Sequence, residues 1–164
     1  AEAFFKQENW QGLRILRPSN VFGPHDDFNP NTGQVIPSLI AKLFSKDKKL
    51  TVWGDGSAKR DFVYSGDVAR VILKILHENK FIAEPLNFGA GKTISIKSLV
   101  KKIMIISKID KKIIWKKNAP TGDKVRFLSM KKFKSKIKGF KDTNIDDALK
   151  ETISWYKENK RLYD

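Results

Sequence analysis

Cysteine is absent from the 164 residues of this chain. Its absence excludes disulfides, thiol nucleophiles and cysteine-ligated metals from this part of the protein. It also fits a compartment in which thiols stay reduced, so we expect a cytoplasmic protein. Histidine is scarce too, with two residues. His25, Asp26 and Asp27 are adjacent, but neighbouring residues rarely converge on one ion, and we expect no metal site.

Long apolar runs are also missing, since no stretch approaches the ~18 residues of a membrane span, and we expect no membrane contact. Arginine is scarce, with six among the 33 Lys and Arg that give a net charge of +15. Such a charge suits nucleic acid or the phosphates of a small molecule. Arginine reads phosphates and bases better than lysine. Because arginine is scarce here, we favour the small molecule over nucleic acid. A basic nucleic-acid-binding domain stays open as a remote alternative.

Apolar segments of strand length alternate with segments of helical spacing, which predicts an α/β fold in one lobe over residues 1–164. Ser65 and Asn144 stand before two of the predicted helices and are expected to cap them. The expected strands are residues 13–16, 50–53, 61–64, 85–88 and 112–115.

Residues 17–28 follow the first predicted strand and read Arg-Pro-Ser-Asn-Val-Phe-Gly-Pro-His-Asp-Asp-Phe. We expect their prolines and glycine to end regular structure and begin a long loop over residues 18–33. Ligands of open α/β sheets bind outside the carboxyl ends of strands, so this polar strand end is a candidate site. His25 is a weak catalytic candidate here, and the alternative is a histidine that only hydrogen-bonds within the loop.

Residues 16–28 resemble the strand-to-loop segment of the extended short-chain dehydrogenases/reductases, the family of nucleotide-sugar epimerases and dehydratases. The resemblance implies the C-terminal part of a Rossmann-like parallel sheet with a small α/β substrate-binding lobe. Residues 23–29 and 52–56 are most similar to the branch of the family that makes GDP-L-fucose. Other matching segments follow at the family's spacing: 35–40, 50–64, 66–69, 87–91 and 94–99.

The resemblance also implies that a dinucleotide-binding half precedes this chain. The chain begins at Ala1 without methionine and shows no glycine-rich turn of the kind that binds a dinucleotide. The preceding half would hold most of the NADP or NAD and the catalytic Tyr-x-x-x-Lys, so we expect this chain to be inactive alone. Relatives in this family often pair through the helix that corresponds to the first residues of this chain, so we expect a homodimer of the full-length protein.

The site residues follow from the same resemblance. Pro18 and Val21 would contact the nicotinamide and Asn20 the substrate, although Asn20 is also a common turn residue. An arginine suits a diphosphate because its planar fork can meet two phosphate oxygens at once. Trp53 is implied as a contact as well, although packing in the core is an equal alternative for its ring. The implied contacts to the nucleotide sugar are Val35, Leu39, Lys42, Trp53, Arg60 and Arg126.

Gln34 departs from the family pattern. Members that epimerise the sugar at C3 and C5 carry a histidine at this position, and an amide has no useful pKa for moving protons. The resemblance therefore implies reduction of a GDP-linked 4-keto-6-deoxy sugar, with the epimerisation in doubt. A nucleotide-sugar 4-epimerase or 4,6-dehydratase with bound NAD stays open as an alternative.

Overall fold

The computed structural model describes residues 2–8, 12–78, 83–119 and 122–163. None of the helices in these ranges is long and apolar enough to cross a bilayer. The helices are α1 (Glu2–Glu8), α2 (Val35–Phe44), α3 (Ser65–Leu76), α4 (Ile96–Ser107), α5 (Lys131–Lys136) and α6 (Ile145–Asn159), with a 3-10 turn at Lys160–Leu162. The strands are β1 (Ile15–Pro18), β2 (Asn20–Phe22), β3 (Lys49–Trp53), β4 (Lys59–Arg60), β5 (Phe62–Tyr64), β6 (Pro85–Phe88), β7 (Ile94–Ser95), β8 (Lys112–Lys116) and β9 (Val125–Arg126).

Parallel pairing dominates the strands, which confirms the predicted α/β class. Strand β1 pairs with β6, β2 with β5, and β3 with β8, all in parallel. Strand β4 has β7 antiparallel on one side and β9 parallel on the other. Because paired parallel strands end at a common edge, the loops that follow β1 and β6 emerge side by side.

Two clusters of buried apolar side chains hold these elements together. The larger one joins helices α2, α4 and α6, and its residues Ile40, Leu99 and Leu149 are fully buried. The smaller one lies around β6 and α5 and includes Leu86 and Phe133. Full burial of such a side chain stabilises a fold by about 1.5–3 kcal/mol. The helical spacing of apolar residues therefore sets which helix faces meet.

Regular structure continues past Pro18, where the sequence predicts a loop. Strand β1 ends at Pro18 and β2 begins two residues later, so the expected loop over residues 18–33 is shorter than predicted. Proline is tolerated at the end of β1 because the ladder needs no N–H there. A strand of three residues is too short to show a period of two in the sequence.

The two predicted caps have different outcomes. The Asn144 side chain accepts a hydrogen bond from the Asp146 N–H at 2.9 Å, so its prediction is confirmed. The prediction for Ser65 is wrong, because Tyr64 is the N-cap of α3 and no side chain caps that end. The hydroxyl of Ser65 instead lies against Gly23, at 2.1 Å from where a Cβ would stand on that glycine.

The turn that follows β3 requires glycine at position 56. Gly56 has φ +80°, and a Cβ there would lie 2.5 Å from the indole ring of Trp115. Its carbonyl accepts a hydrogen bond of 2.9 Å from the N–H of Lys97, which fixes the turn to the start of α4. Both backbone conformation and lack of space therefore exclude a side chain.

We expect Gly56→Ala to lower the free energy of unfolding by about 2–4 kcal/mol, because left-handed strain adds to overpacking. Gly139→Ala is the matched control, since Gly139 has φ +72° and open space around its Cβ position. The control should lose only the strain contribution, about 1–2 kcal/mol. Urea unfolding measures both losses, and equal losses would show that the contact with Trp115 contributes nothing.

Candidate functional site

A cavity of 760 Å³ opens between α2, the end of β3 and the turn that follows β3. Its volume lies within the roughly 300–1,000 Å³ typical of small-molecule sites. The loop before α2 and the start of α4 complete its walls. The structure brings together in this cavity five of the residues that the resemblance implies: Val35, Leu39, Lys42, Trp53 and Arg60.

Positive charge prevails in the cavity. Lys42, Arg60 and Lys116 line it, against one carboxylate, that of Asp55. Burial lowers the pKa of the Lys42 ammonium, and the charge of Lys116 lowers it further. In the part of the chain that the structure describes, neither of these two lysines is in an ion pair. An anion in the cavity would relieve this repulsion, so the site suits phosphates.

The Arg60 guanidinium is oriented by the backbone beside it. Its Nη1 donates hydrogen bonds to the carbonyl oxygens of Asp123 at 2.7 Å and Lys59 at 2.9 Å. Arg126 is the register partner of Arg60 in the neighbouring strand β9. Arg126 lies outside the cavity lining, so only one of the two implied arginines reaches the cavity directly.

Trp53 presents a large aromatic surface to the cavity. It is the last residue of β3 and 63% of its surface is exposed. A tryptophan that served core packing would be buried, because its ring would then leave water. The exposure therefore favours the binding role over the packing role.

Pro18, Asn20 and Val21 do not line the cavity: Pro18 ends β1, and Asn20 and Val21 are the first two residues of β2. The Asn20 amide Nδ2 and the Ser19 hydroxyl each donate a hydrogen bond of 2.7 Å to the carbonyl oxygen of Asp61. Val21 packs on the smaller apolar cluster, and Pro18 is exposed beside its register partner in β6. Their contacts with nicotinamide and substrate stay predictions.

Asp61, which accepts the hydrogen bonds of Ser19 and Asn20, is a residue for which the sequence gives little warning. Its side chain is fully buried, its Oδ1 accepts a hydrogen bond of 2.9 Å from the Ala90 N–H, and its own N–H donates to Arg126. Burial raises the pKa of the Asp61 carboxyl, and nearby backbone N–H groups, first that of Ala90, act in the opposite direction. The one available signal is a carboxylate within the apolar strand segment 61–64, because a buried charge needs partners.

His25 and Gln34 lie outside the cavity lining. His25 adopts the left-handed conformation at φ +64°, where histidine is enriched, and its ring lies 4.6 Å from that of Trp155. Gln34 is the N-cap residue of α2, exposed, between two residues that line the cavity. Neither position contradicts its predicted role, and both roles stay predictions. Within the described ranges, no three His, Asp or Glu side chains are grouped as metal ligands.

We expect Asp61→Asn to change how stability depends on pH. A raised pKa means that the folded protein favours the neutral carboxyl, so the wild type loses stability as pH rises through that pKa. Asparagine keeps the shape and the acceptor for Ala90 but stays neutral, so this variant should not show that loss. Thermal unfolding between about pH 4 and pH 8 measures the difference.

Asp61→Ala is the comparison for this experiment. It leaves the Ala90 N–H unpaired, so it should lose about 1–3 kcal/mol at every pH. Parallel pH profiles for the wild type and Asp61→Asn would contradict the titration of a buried carboxyl.

Comparisons with known proteins show what this chain is similar to. The profile of the NAD dependent epimerase/dehydratase family matches residues 2–91. The chain is 32% identical over 147 residues to a dTDP-4-dehydro-6-deoxy-D-allose reductase from a Streptomyces species, which covers 90% of this chain and 44% of that protein. It is 29% identical to the probable GDP-L-fucose synthase 1 of Oryza sativa subsp. japonica, over 96% of this chain and 48% of that protein. The chain therefore spans about half the length of the curated relatives it matches.

A solved structure shares the fold. The GDP-L-fucose synthetase from Naegleria fowleri bound to NADP superposes with a TM-score of 0.81 at 29% identity. The match covers 88% of this chain and 46% of that chain. The predicted Rossmann-like class is confirmed by this likeness.

Proposed function

Because the chain belongs to the NAD dependent epimerase/dehydratase family, we propose that it is the C-terminal, substrate-binding half of an NADP-linked enzyme. That enzyme reduces the 4-keto group of a nucleotide-linked 6-deoxy sugar. The observation that carries the proposal is the cavity in which Lys42, Arg60 and Lys116 face the exposed ring of Trp53. Cations and an aromatic surface in one concave site suit a diphosphate joined to a base.

Six of the residues that line the cavity have a proposed role. The Arg60 guanidinium binds the diphosphate, since backbone hydrogen bonds already orient it. Lys42 and Lys116 balance the remaining negative charge, and Trp53 contacts the nucleotide through its ring. Val35 and Leu39 supply the apolar wall that excludes water from the base.

The reacting sugar lies outside the cavity in this proposal, where β1 ends and β2 begins. Asn20, held through its Nδ2 by Asp61, keeps its Oδ1 as an acceptor for a sugar hydroxyl. The exposed Pro18 and the half-buried Val21 fit an apolar face of the nicotinamide. NADPH, when bound, supplies the hydride for C4. The residues that hold the rest of this cofactor and donate the proton belong to the preceding half.

We propose GDP as the nucleotide and reduction without epimerisation as the reaction. The rice relative is named for GDP-L-fucose, which agrees with the motifs in residues 23–29 and 52–56. The Streptomyces relative is named for a reduction alone, which agrees with the amide of Gln34. Its name also makes a dTDP-linked sugar the second candidate substrate. The full-length enzyme is proposed to act as a homodimer.

The full-length protein should oxidise one NADPH for each GDP-4-keto-6-deoxymannose that it consumes. Absorbance at the NADPH band measures this, and product analysis in heavy water should find no solvent deuterium at C3 or C5, because Gln34 cannot move those protons. The dTDP-linked 4-keto-6-deoxy sugar is the matched comparison and should react more slowly.

Failure to consume NADPH with either sugar nucleotide would reject the reductase. A 4-epimerase or 4,6-dehydratase would instead convert its substrate without net use of NADPH and would purify with NAD bound. Deuterium at C3 or C5 would keep the reductase but show that another group replaces the missing histidine.

Lys42→Met should weaken GDP binding by roughly tenfold, which is the value of one charge-assisted hydrogen bond. The same change should raise the melting temperature, because it removes a half-buried charge beside Lys116. The pKa of Lys42 lies below the usual value of lysine. The wild-type affinity for GDP should therefore fall as the pH rises toward that lowered pKa, because the ammonium loses its proton. Lys42→Arg stays charged and should keep its affinity at that pH.

Calorimetry with GDP at several pH values measures these differences. Lys46→Met is the control, since Lys46 is exposed and lies outside the cavity lining. Equal weakening by Lys46→Met and Lys42→Met would mean that net charge, rather than the cavity, binds the nucleotide.

A further inference from the structure

The loop over residues 24–34 joins the cavity to the C-terminal end of the chain. Its second part supplies Pro30, Asn31 and Gly33 to the cavity wall. Its first part contacts α6 and the residues that follow α6. One short loop therefore has one end in the proposed substrate site and the other in a remote part of the fold.

Aromatic packing anchors the first part of the loop. Phe28 is fully buried, and its ring centroid lies 4.8 Å from that of Tyr156 and 5.6 Å from that of Trp155. The ring of Tyr163 meets it edge-on at 5.5 Å. Aromatic pairs at these distances contribute beyond the area that they bury, so Phe28 is firmly held.

Two further contacts hold the residues that precede Phe28. The ring of His25 lies 4.6 Å from that of Trp155, and the Tyr163 hydroxyl donates a hydrogen bond of 3.0 Å to the carbonyl oxygen of Asp26. Burial raises the pKa of the Tyr163 phenol, which keeps the proton on the donor. The Tyr163 contact joins residues 137 positions apart in the sequence.

Hydrogen bonds inside the loop connect its anchored part to the cavity wall. The Asp27 carboxylate accepts from the Asn29 N–H at 2.9 Å and from the Thr32 hydroxyl at 2.8 Å. The Gly33 N–H donates to the Asn29 carbonyl at 2.8 Å. A displacement at residues 26–28 therefore reaches the residues that line the cavity.

We propose that Tyr163 is a positioning residue, which holds the loop over residues 24–34 in the shape that the nucleotide-sugar site requires. Its action on substrate rests on the proposed function, whereas its action on the loop does not. The alternative is that Tyr163 only contributes to general packing. Tyr163→Phe separates the two, because it keeps the ring and removes only the hydrogen bond to Asp26.

The experiment compares full-length wild type, Tyr163→Phe and a control, Leu162→Ala. Leu162 is the neighbour of Tyr163 and is 72% exposed. Hydrogen exchange without substrate should become faster in residues 27–33 of Tyr163→Phe alone. Loss of one hydrogen bond should raise the Kd for GDP and the KM for the sugar nucleotide about fivefold, with kcat little changed. The melting temperature should fall by no more than the few degrees that one hydrogen bond accounts for.

The other outcomes contradict either this proposal or the function on which it rests. Unchanged exchange in residues 27–33 would show that the phenol does not hold the loop. Faster exchange throughout the chain, with a larger fall in melting temperature than one hydrogen bond accounts for, would assign Tyr163 to packing. A wild type that fails to bind GDP would reject the proposed function, and the exchange result would still decide whether Tyr163 holds the loop.

Discussion

The main chain of Asp61 accepts hydrogen bonds from the side chains of Ser19 and Asn20, while its buried carboxylate accepts one from Ala90. These contacts tie the start of β2 and the loop after β6 to the segment between β4 and β5. A buried N–H or C=O left unpaired costs about 1–3 kcal/mol. Separating the three segments would therefore cost that free energy for each hydrogen bond that it breaks. Because Arg60 precedes Asp61, the same junction sets the distance between the proposed phosphate-binding arginine and Asn20.

The cavity keeps a charge conflict that the fold alone does not resolve. Lys42 is half-buried and is repelled by the charge of Lys116, so its charged form is less stable here than in water. Proteins retain such local costs where function needs them, since a better-packed site would be more stable but would bind less. At this cavity, part of the net charge of +15 is concentrated at a site that could bind an anion. Dispersed surface lysines would leave no such convergence on a concave site.

Local patterns account for what the sequence could predict. The alternation of strands and helices follows from apolar spacing, and the family motifs point to the five implied residues that line the cavity. The sequence does not predict strand β2, because three residues are too few to show the alternation of apolar and polar residues that marks a strand. Asp61 and Tyr163 were missed because their partners lie far along the chain, 41 residues away for Asn20 and 137 for Asp26. Only the fold brings such pairs together, so no local pattern reveals them.

In the proposed enzyme, binding and chemistry occupy different places. The cations and Trp53 that would hold the nucleotide all belong to this chain, whereas the proton donor and most of the cofactor site would precede it. Interactions with a remote, unreactive part of a substrate accelerate a reaction when their binding energy acts at the reacting carbon, for example by orienting it. A rigid link between the nucleotide cavity and the strand ends is therefore required. The hydrogen bonds of Asp61 supply that link on one side, and the loop over residues 24–34, held by the C-terminal aromatic residues, supplies it on the other.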